Sequence, residues 1–486
     1  MTEASPETAA PSSNRPTDAG PVVPQHLVLV LPATGEFDSR SYRIARELIS
    51  RGHRVTMLAR WKAGLPFEED DPNGYRIVRV MASTADGLPF RRLRSLVGRL
   101  VRGLHALRTG RGPRAGETRM VPGERVAGGG AVEARGEATS TGGAILPPVR
   151  RASVPRRLWA GAIRRLAIPL TLRSHIRNAR EAGVAGDLYH GMAYMGIPIA
   201  LDLGRRDRVP VVYDARDIYL EARNLARSRG IVRWAAARAE RGWAARSARV
   251  ITVNDAYADV MAQRLRVERP LVVMNCSYRY EPAEPRERRF HDRFGLARAT
   301  KIVLYHGGLF PHRGIEELFE AMIGLPGGIA LVLMGYGVLE PEFRRRAAEA
   351  PWRGRVHMMN AVPPAELLDW VACADVAAMP IQASTLNHRL TTPNKLFEAM
   401  AAGVPAVVSE LPGMATIVTE TGSGLLVDPA DPVAIRRAIE EIASLDDAAW
   451  LAWRRRCLAA AHDRYSWETQ VGRLIEEYGR LTGRPW

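Results

Sequence analysis

The chain has 486 residues, of which 46% are hydrophobic, so it is long enough for two domains that each bury a core. It carries a net charge of +17, with 69 Lys and Arg against 52 Asp and Glu, which favours anionic partners such as nucleotides, phospholipid head groups or nucleic acid. No apolar run approaches the roughly 20 residues of a membrane-spanning helix. The three cysteines lie far apart without metal-ligand spacing, so we expect neither a disulfide framework nor a zinc site.

The N-terminal half begins with a stretch, residues 1–24, that is rich in Pro, Ser, Thr and Ala. Because it lacks the basic start and apolar centre of a signal peptide, we expect a disordered tail on a cytoplasmic protein. Short apolar strands then alternate with amphipathic helices over residues 25–277, the pattern of a parallel α/β domain. A segment at 111–151 has no periodicity and is predicted to be a mobile insertion. The predicted strands lie at 26–31, 54–59, 75–81, 187–190, 209–213, 249–253 and 270–274, with a helix at 39–50.

The C-terminal half repeats this alternation over residues 294–465, after a polar stretch at 278–293 that is predicted to be a linker. Its predicted strands lie at 301–305, 328–334, 355–358, 375–379, 405–409 and 424–427. A last helical segment, 466–486, is expected to pack back on the N-terminal domain. The predicted fold class is α/β, with two tandem Rossmann-like, doubly wound domains that face each other across a cleft. Such a fold binds its ligand between the carboxyl ends of the two sheets.

A first candidate site follows the strand at 301–305, in the segment Tyr305-His-Gly-Gly-Leu-Phe-Pro-His-Arg-Gly314. Gly307 and Gly308 would let the backbone approach a ligand, and the N-terminus of the next helix attracts anions. The guanidinium of Arg313 has a geometry that suits phosphate. An ordinary loop between a strand and a helix, with a solvated arginine, explains the segment equally well.

A second candidate site lies in Leu390-Thr-Thr-Pro-Asn-Lys-Leu-Phe-Glu398, which follows a predicted strand and a polar loop. Thr392 is a favourable N-cap, and Pro393 suits the first helical position. Lys395 and Glu398 are three residues apart and would lie on neighbouring faces of that helix. The same spacing is that of a simple surface ion pair, but a helix start beyond a strand end is also where an α/β fold binds its ligand.

Taken together, these motifs resemble those of the retaining glycosyltransferases of family 4, which are group 1 glycosyltransferases with the glycosyltransferase-B fold. The resemblance extends over residues 25–481 apart from the insertion. Further segments carry it in the expected order: Asp38-Ser-Arg40, Asp187-Leu-Tyr-His190, Val212-Tyr-Asp-Ala-Arg-Asp217, Met334-Gly-Tyr-Gly337, Ala361-Val-Pro-Pro-Ala-Glu-Leu-Leu-Asp-Trp370, Cys373-Ala-Asp-Val376 and Tyr465-Ser-Trp467.

The resemblance implies a role for each matching residue. Arg313 would contact the nucleotide diphosphate and Glu398 the ribose hydroxyls. Asn394 and Lys395 would bind part of the sugar or phosphate. His190 would face the donor sugar and the acceptor, although a histidine at a strand end is also commonly a local hydrogen-bonding group. The implied nucleotide-sugar site comprises Gly35, Gly307, Gly308, Arg313, Gly335, Gly337, His357, Ala361, Asn394, Lys395 and Glu398, with His190, Arg313 and Lys395 as catalytic residues.

Two positions depart from the family pattern. Gly308 stands where an arginine is usual, and Leu390 where a glutamate is often found. These departures leave the identity of the donor open and keep a non-catalytic subunit as an alternative. Asp214 and Asp217 follow another strand, and we interpret them as caps or as partners of nearby arginines such as Arg216, rather than as catalytic carboxylates.

The chemistry of sugar transfer fits these residues. Breaking a sugar–diphosphate bond leaves negative charge on the phosphate, which Arg313, Lys395 and helix N-terminal amides are suited to stabilise. No Asp-x-Asp metal motif is present, so we expect no metal and no cofactor besides a UDP- or GDP-sugar as co-substrate. The resemblance implies front-face hexosyl transfer with retention of configuration, to a glycan or lipid-linked acceptor of polysaccharide biosynthesis. The alternatives are a nucleotide-sugar epimerase of the same fold and a basic nucleic-acid-binding protein, although the latter would place aromatic residues among its arginines.

Two basic segments predict a peripheral association with the inner face of the plasma membrane. In residues 90–108, leucines and Val97 recur on one arc of a helix and five arginines lie around the other side. Residues 156–166 combine arginines with Trp159 and Ile163. Basic amphipathic helices of this kind can lie in an anionic membrane interface, where they would reach a lipid-linked acceptor. The alternative is that the apolar arc packs on the domain core and leaves the arginines in water.

Overall fold

The computed structural model describes residues 23–36, 38–84, 169–222 and 230–486. The chain divides into two compact units, residues 1–81 with 178–486, and residues 82–177. In the second unit, the described residues 169–177 are helical. The predicted tail lies almost wholly outside the described residues. The insertion and the two basic segments lie entirely outside them, and all of these remain predictions. The two sheets that the described residues form both belong to the first unit.

The N-terminal sheet is built from parallel strands that bury apolar runs on both faces. Its strands are β1 His26–Val30, β2 Arg54–Arg60, β3 Glu68–Asp70, β4 Arg76–Val80, β5 Leu188–Met192, β6 Val211–Asp214, β7 Arg249–Thr252 and β8 Leu271–Val272. Among the described residues their order is β3-β4-β2-β1-β5-β6-β7-β8. Of the strand pairs in this described part of the chain, β3 and β4 are antiparallel and the others are parallel. The predicted strands did not include β3, because its three acidic residues are all exposed, as is common at a sheet edge.

The C-terminal sheet is entirely parallel among the described residues. Its strands are β9 Lys301–Gly308, β10 Ile329–Tyr336, β11 Val356–Met359, β12 Val376–Met379, β13 Ala406–Ser409 and β14 Gly424–Val427. Their order is β11-β10-β9-β12-β13-β14. β9 and β10 extend beyond their predicted ends, since they remain paired as far as Gly308 opposite Tyr336. The two sheets confirm the predicted fold class.

Helices connect the strands and cover both sheets. Those with described bounds are α1 Ser39–Ser50, α2 Ala193–Asp207, α3 Gly230–Ala244, α4 Asp255–Leu265, α5 Arg289–Phe294, α6 Ile315–Ile323, α7 Glu340–Ala347, α8 Leu367–Val371, α9 Leu386–Leu390, α10 Asn394–Ala401, α11 Pro412–Thr421, α12 Pro432–Ala443, α13 Asp447–Asp463 and α14 Trp467–Thr482. The helix α5 lies largely inside the stretch at 278–293 that is predicted to be a linker, and Phe290 and His291 on it are buried.

The last helix, α14, belongs to the core of the N-terminal sheet. Trp467, Leu474 and Tyr478 are fully buried and share a hydrophobic cluster with Leu27 of β1. The backbone N–H of Trp467 donates to the carbonyl oxygen of Ser277 at 2.7 Å. The chain therefore returns to its first sheet after completing the second.

Candidate nucleotide-binding site

The candidate site lies at the carboxyl ends of β9 and β10, where the backbone is packed too tightly for side chains. A Cβ atom at Gly335 would lie 1.8 Å from the carbonyl oxygen of Gly307. In the loop after β9, Gly314 has a φ of +75°, and a Cβ there would lie 1.9 Å from the carbonyl oxygen of Pro380. Backbone groups therefore form this edge of the sheet, as a closely approaching ligand requires.

At position 308, where glycine replaces the arginine usual in the family, the structure leaves no space for a side chain. A Cβ at Gly308 would lie 2.7 Å from the ring of Phe310, whose side chain is partly exposed. The aromatic ring therefore occupies the space into which a side chain at this position would extend. An arginine at position 308 would require Phe310 to move.

Lys395 lies in the first turn of α10 with its ammonium over the ring of Tyr305, and Nζ is 3.7 Å from the ring centroid. Burial and the positive charge of Arg313 lower the pKa of Lys395 to about 7, and the charge of Glu398 only partly offsets them. Within the described residues, Lys395 forms no ion pair. A half-buried cation over an aromatic face, without a carboxylate partner, is well placed to receive an anion.

Glu398, one turn further along α10, is held by His306 of β9. Its Oε2 lies 2.9 Å from Nε2 of the imidazole, and both side chains are buried. Burial alone would raise the pKa of Glu398, but the hydrogen bond and charge of His306, together with the charges of Arg43 and Lys395, hold it below its ordinary value. The carboxylate is thus an ionised hydrogen-bond acceptor, and the alternative of a surface ion pair with Lys395 is wrong.

Arg313 lies between β9 and α6, half-buried, and makes no hydrogen bond or ion pair with another described residue. Close to it, His312 and His388 have ring centroids 6.4 Å apart. Burial and the charges of Arg313 and His312 lower the pKa of His388 to about 4, so this imidazole is neutral at pH 7. Among the described residues, neither Arg313 nor Lys395 has an ion-pair partner, and the charge of the nearby Glu398 only partly offsets the effect of Arg313 on Lys395. The sequence did not point to Tyr305, His306 or His388, although all three stand in or beside the quoted motifs.

Hydrogen bonds from the N-terminal domain hold the segment that precedes α10. Asn387 accepts a hydrogen bond at Oδ1 from the backbone N–H of Ile218 (2.9 Å) and donates from Nδ2 to its carbonyl oxygen (3.2 Å). The hydroxyl of Tyr257 donates to the carbonyl oxygen of Asn387 at 3.0 Å. Asn387 was not singled out from the sequence, because its partners lie on the other half of the chain.

The start of α10 corrects one prediction. The N-cap is Pro393, and the helix begins at Asn394. Thr392, the predicted N-cap, instead accepts a hydrogen bond at Oγ1 from Asn254 at 3.2 Å. Asn394 also contacts the other half of the chain, since its Oδ1 accepts from Nδ2 of Asn275 at 2.9 Å.

His190 lies in β5 and is fully buried. Its Nδ1 is 2.5 Å from the hydroxyl of Tyr478, and its Nε2 is 3.3 Å from Oδ2 of Asp214. Burial lowers the pKa of His190, against the opposing charge of Asp214. The guanidinium of Arg40 donates to the same carboxylate at 2.6 Å. These contacts favour the alternative of a hydrogen-bonding residue in the core, and the catalytic role of His190 remains a prediction.

Asp214 has the structural role that the sequence suggested, but with different partners. Its Oδ2 pairs with Arg40. Burial alone would raise the pKa of Asp214, but the charge of Arg40, the hydrogen bond and charge of His190 and the charge of Arg216 together hold it below its ordinary value. Arg216 forms two hydrogen bonds of 2.8 Å with Asp38 instead. The two ion pairs fasten the start of α1 to the carboxyl end of β6.

The remaining predicted ligands lie at strand ends. Gly35 follows β1 with a φ of +83°, and its carbonyl oxygen accepts a hydrogen bond from Tyr42. His357 on β11 is half-buried beside Phe294, with ring centroids 4.8 Å apart, and burial lowers its pKa. Ala361 is exposed just beyond β11. Contact of these residues with a nucleotide remains a prediction.

Among the described residues, no group of three or more His, Cys, Asp and Glu side chains could hold a metal ion. In the same part of the chain, no helix has the length and apolarity needed to cross a bilayer.

The sequence is similar to glycosyltransferases. Residues 300–444 match the family model of group 1 glycosyl transferases. The D-inositol 3-phosphate glycosyltransferase of Xylanimonas cellulosilytica is 29% identical over 201 residues, which are 40% of this chain and 45% of that protein. A GDP-mannose-dependent alpha-(1-6)-phosphatidylinositol monomannoside mannosyltransferase of Mycolicibacterium smegmatis is 28% identical over 217 residues, 42% of this chain and 54% of that protein. The chain thus spans about half the length of these curated relatives.

Solved structures are similar over nearly the whole chain. Sucrose-phosphate synthase from Thermosynechococcus elongatus has a TM-score of 0.63 at 16% identity, covering 94% of this chain and 99% of that one. Anabaena HepE, in complex with UDP-glucose, has a TM-score of 0.58 at 16% identity, covering 94% of this chain and 100% of that one. The chain therefore has the glycosyltransferase-B fold, and its residues 300–444 are similar to the group 1 glycosyl transferases.

Proposed function

We propose that this protein is a glycosyltransferase that moves a sugar from a UDP- or GDP-sugar to an acceptor. The observation that carries the proposal is the pair of basic side chains, Arg313 and Lys395, which lie beside the strand ends and form no ion pair with another described residue. Glu398 lies next to them as an ionised acceptor. Cations for a diphosphate beside an acceptor for ribose hydroxyls form a site for a nucleoside diphosphate.

The same residues account for the chemistry of the departing nucleotide. As the bond between the sugar and the diphosphate breaks, negative charge grows on the phosphate oxygens. Arg313 and the protonated form of Lys395 stabilise that charge, and the partial burial of both side chains strengthens the interaction relative to bulk water. Because two basic groups can take the place of a divalent metal beside the diphosphate, we propose metal-independent transfer. Retention of the anomeric configuration is proposed from the family resemblance.

The nature of the donor and acceptor is proposed from the relatives. HepE is described with UDP-glucose, and one relative is named for GDP-mannose, so both nucleotides are candidates. Two relatives are named for inositol-containing acceptors that carry a phosphate. We propose a glycan or lipid-linked acceptor, such as a polysaccharide precursor, and a cytoplasmic location at the inner face of the plasma membrane.

Titration calorimetry with UDP and GDP tests the nucleotide site. Arg313→Ala and Glu398→Ala are each expected to weaken binding by about 10- to 100-fold, because each removes a charge-assisted hydrogen bond worth roughly 1.5 to 3 kcal/mol. Arg345→Ala, which removes an exposed arginine of α7, is the matched control and should bind normally. Unchanged affinity in both site variants would overturn the assignment.

Activity measurements test the reaction itself. A screen of UDP- and GDP-sugars should find transfer that survives a metal chelator and gives a product with the donor's anomeric configuration. Loss of activity in chelator that magnesium or manganese restores would refute metal independence, and an inverted product would refute retention. Conversion of the donor sugar without an acceptor would favour the epimerase alternative, and nucleotide binding with neither reaction would favour a non-catalytic subunit.

A further inference from the structure

One face of α3 exposes large apolar side chains to water. Ile231 is 78% exposed and Trp234 is 63% exposed. Arg238 follows at helical spacing on the same exposed face, and Ala245, just beyond the end of the helix, is also exposed. The opposite face of the helix is anchored in the domain by buried Glu240, which accepts a hydrogen bond from Tyr213 at 2.9 Å.

A groove beside this face joins apolar and basic groups. Its volume is about 590 Å³, and it runs between α3 and the end of α4. The side chains that line it include Trp234, Arg238, Arg241, Leu265 and Arg266. Together with the exposed residues of α3, they form a surface that we call the α3 face.

The charges of the α3 face are not neutralised by its surroundings. Among the described residues, the guanidinium groups of Arg238 and Arg266 make no hydrogen bond or ion pair. The nearby carboxylates are already engaged elsewhere. Glu221 accepts from Arg233 and Arg264 at 2.8 and 2.9 Å. Glu240 lies on the buried face of the helix. The α3 face therefore presents a net positive charge around exposed tryptophan and isoleucine.

We infer that the α3 face docks on an anionic phospholipid membrane, with Trp234 and Ile231 inserted into the interface and Arg238 and Arg266 among the lipid phosphates. Tryptophan is suited to this environment because its ring is apolar and its indole N–H still reaches water or head groups. Arginines around an inserted apolar residue add attraction to anionic lipids. This inference rests on the proposed lipid-linked acceptor, which the enzyme would meet at that surface.

A protein partner fits the α3 face less well. Protein interfaces surround aromatic anchors with paired polar groups, whereas Arg238 and Arg266 here have no partner among the described residues. A nucleic acid would require several stacking aromatic side chains, whereas the described residues that line the groove include one aromatic side chain, Trp234. A bilayer with anionic head groups provides an apolar environment for Trp234 and Ile231 and negative charges for the arginines.

Vesicle co-sedimentation of the full-length protein tests the inference. The vesicles are pure phosphatidylcholine, or equal parts of phosphatidylcholine and phosphatidylglycerol. We expect sedimentation with the anionic vesicles alone. The double variant Arg238→Gln/Arg266→Gln should bind them roughly 30-fold more weakly, since each arginine contributes about fivefold at such a surface. Trp234→Ser should weaken binding further. The matched control is Arg437→Gln/Leu451→Ser, which removes an exposed arginine and an exposed leucine from the C-terminal domain.

Three outcomes would overturn the inference. The wild-type protein could fail to sediment, it could bind neutral and anionic vesicles equally, or the α3-face variants could bind as tightly as the control. The last outcome would assign docking to another surface, such as the basic segments at 90–108 and 156–166. UDP and GDP titrations of the same variants show that they remain folded. Intact nucleotide binding with lost vesicle binding supports the inference, and a failure of nucleotide binding in the wild type would instead refute the proposed function.

Discussion

Replacing Lys395 by methionine, which keeps the length of the side chain and removes the ammonium, should abolish the pH dependence of nucleotide affinity above neutral pH. In the free protein, burial and the charge of Arg313 hold the pKa of Lys395 at about 7. A bound diphosphate places negative charge beside the ammonium and raises this pKa, because an opposite charge favours the charged form. Binding therefore takes up a proton wherever the pH lies between the pKa values of the free and bound states.

The direction and size of the effect follow from these two pKa values. Below about pH 7, Lys395 is largely protonated before binding, and its titration has little influence on affinity. Above that pH, affinity falls about tenfold per pH unit until the pKa of the bound state is reached. Between about pH 7 and about pH 8.5 the expected loss is roughly 15-fold. The terminal phosphate of the nucleotide, with a second pKa near 6, is already ionised over this range.

Calorimetry in two buffers of different ionisation enthalpy measures the proton directly. Near pH 8, the wild-type protein should take up about one proton per UDP or GDP bound, and Lys395→Met should take up none. Lys301→Met is the matched control, because Lys301 lies at the opposite end of β9 near Asp375. Proton uptake that persists in Lys395→Met, or that is absent from the wild type, would refute the reasoning.

Asp214→Asn should lower the free energy of unfolding, measured in urea, by about 3 to 5 kcal/mol, because it leaves the buried guanidinium of Arg40 without its counter-charge. A loss below about 1 kcal/mol would contradict this expectation. Glu240→Gln should stabilise the protein by about 2 to 3 kcal/mol near pH 8 and by much less near pH 5. Burial raises the pKa of this carboxyl from its ordinary value of 4.5 to about 7 in the folded protein, so its ionisation increasingly opposes folding as the pH rises between these two values. A pH-independent gain would exclude this cause. Gly335→Ala should lower the thermal midpoint and the nucleotide affinity together, whereas Gly327→Ala, whose Cβ would meet nothing within 4 Å, should change neither.

The regular elements could be predicted where an apolar pattern or a cap marks them. The strand β1 begins at His26, where a run of buried apolar residues starts. The helix α1 begins at Ser39 because the side chain of Asp38 caps it by accepting a hydrogen bond from the backbone N–H of Ser41. The strand β3 has no such pattern, since pairing with β4 alone determines it. The helix α5 is six residues long in a polar stretch, and its burial of Phe290 depends on the neighbouring strands and on Trp370.

The sequence indicated which residues stand at the candidate site, but it did not indicate which of their side chains contact one another. The glycines and Arg313 follow strand ends, which local spacing shows. His306 and Glu398, however, are 92 residues apart and meet only because β9 and α10 are neighbours. His190 was placed in the site by resemblance alone. The partner that fixes its Nδ1, Tyr478, lies 288 residues away on a helix that returns from the far end of the chain.

Asn275 gives the first sheet's domain a direct influence on the proposed donor site. Its Nδ2 donates to Oδ1 of Asn394, so the Nδ2 of Asn394 is left as a hydrogen-bond donor. A donor group beside Lys395 suits a phosphate or sugar oxygen. Asn275 is itself positioned by Arg43, which also lowers the pKa of Glu398. The amide that would bind the donor is therefore oriented by residues of the other domain, and α10 alone does not determine its hydrogen-bonding direction.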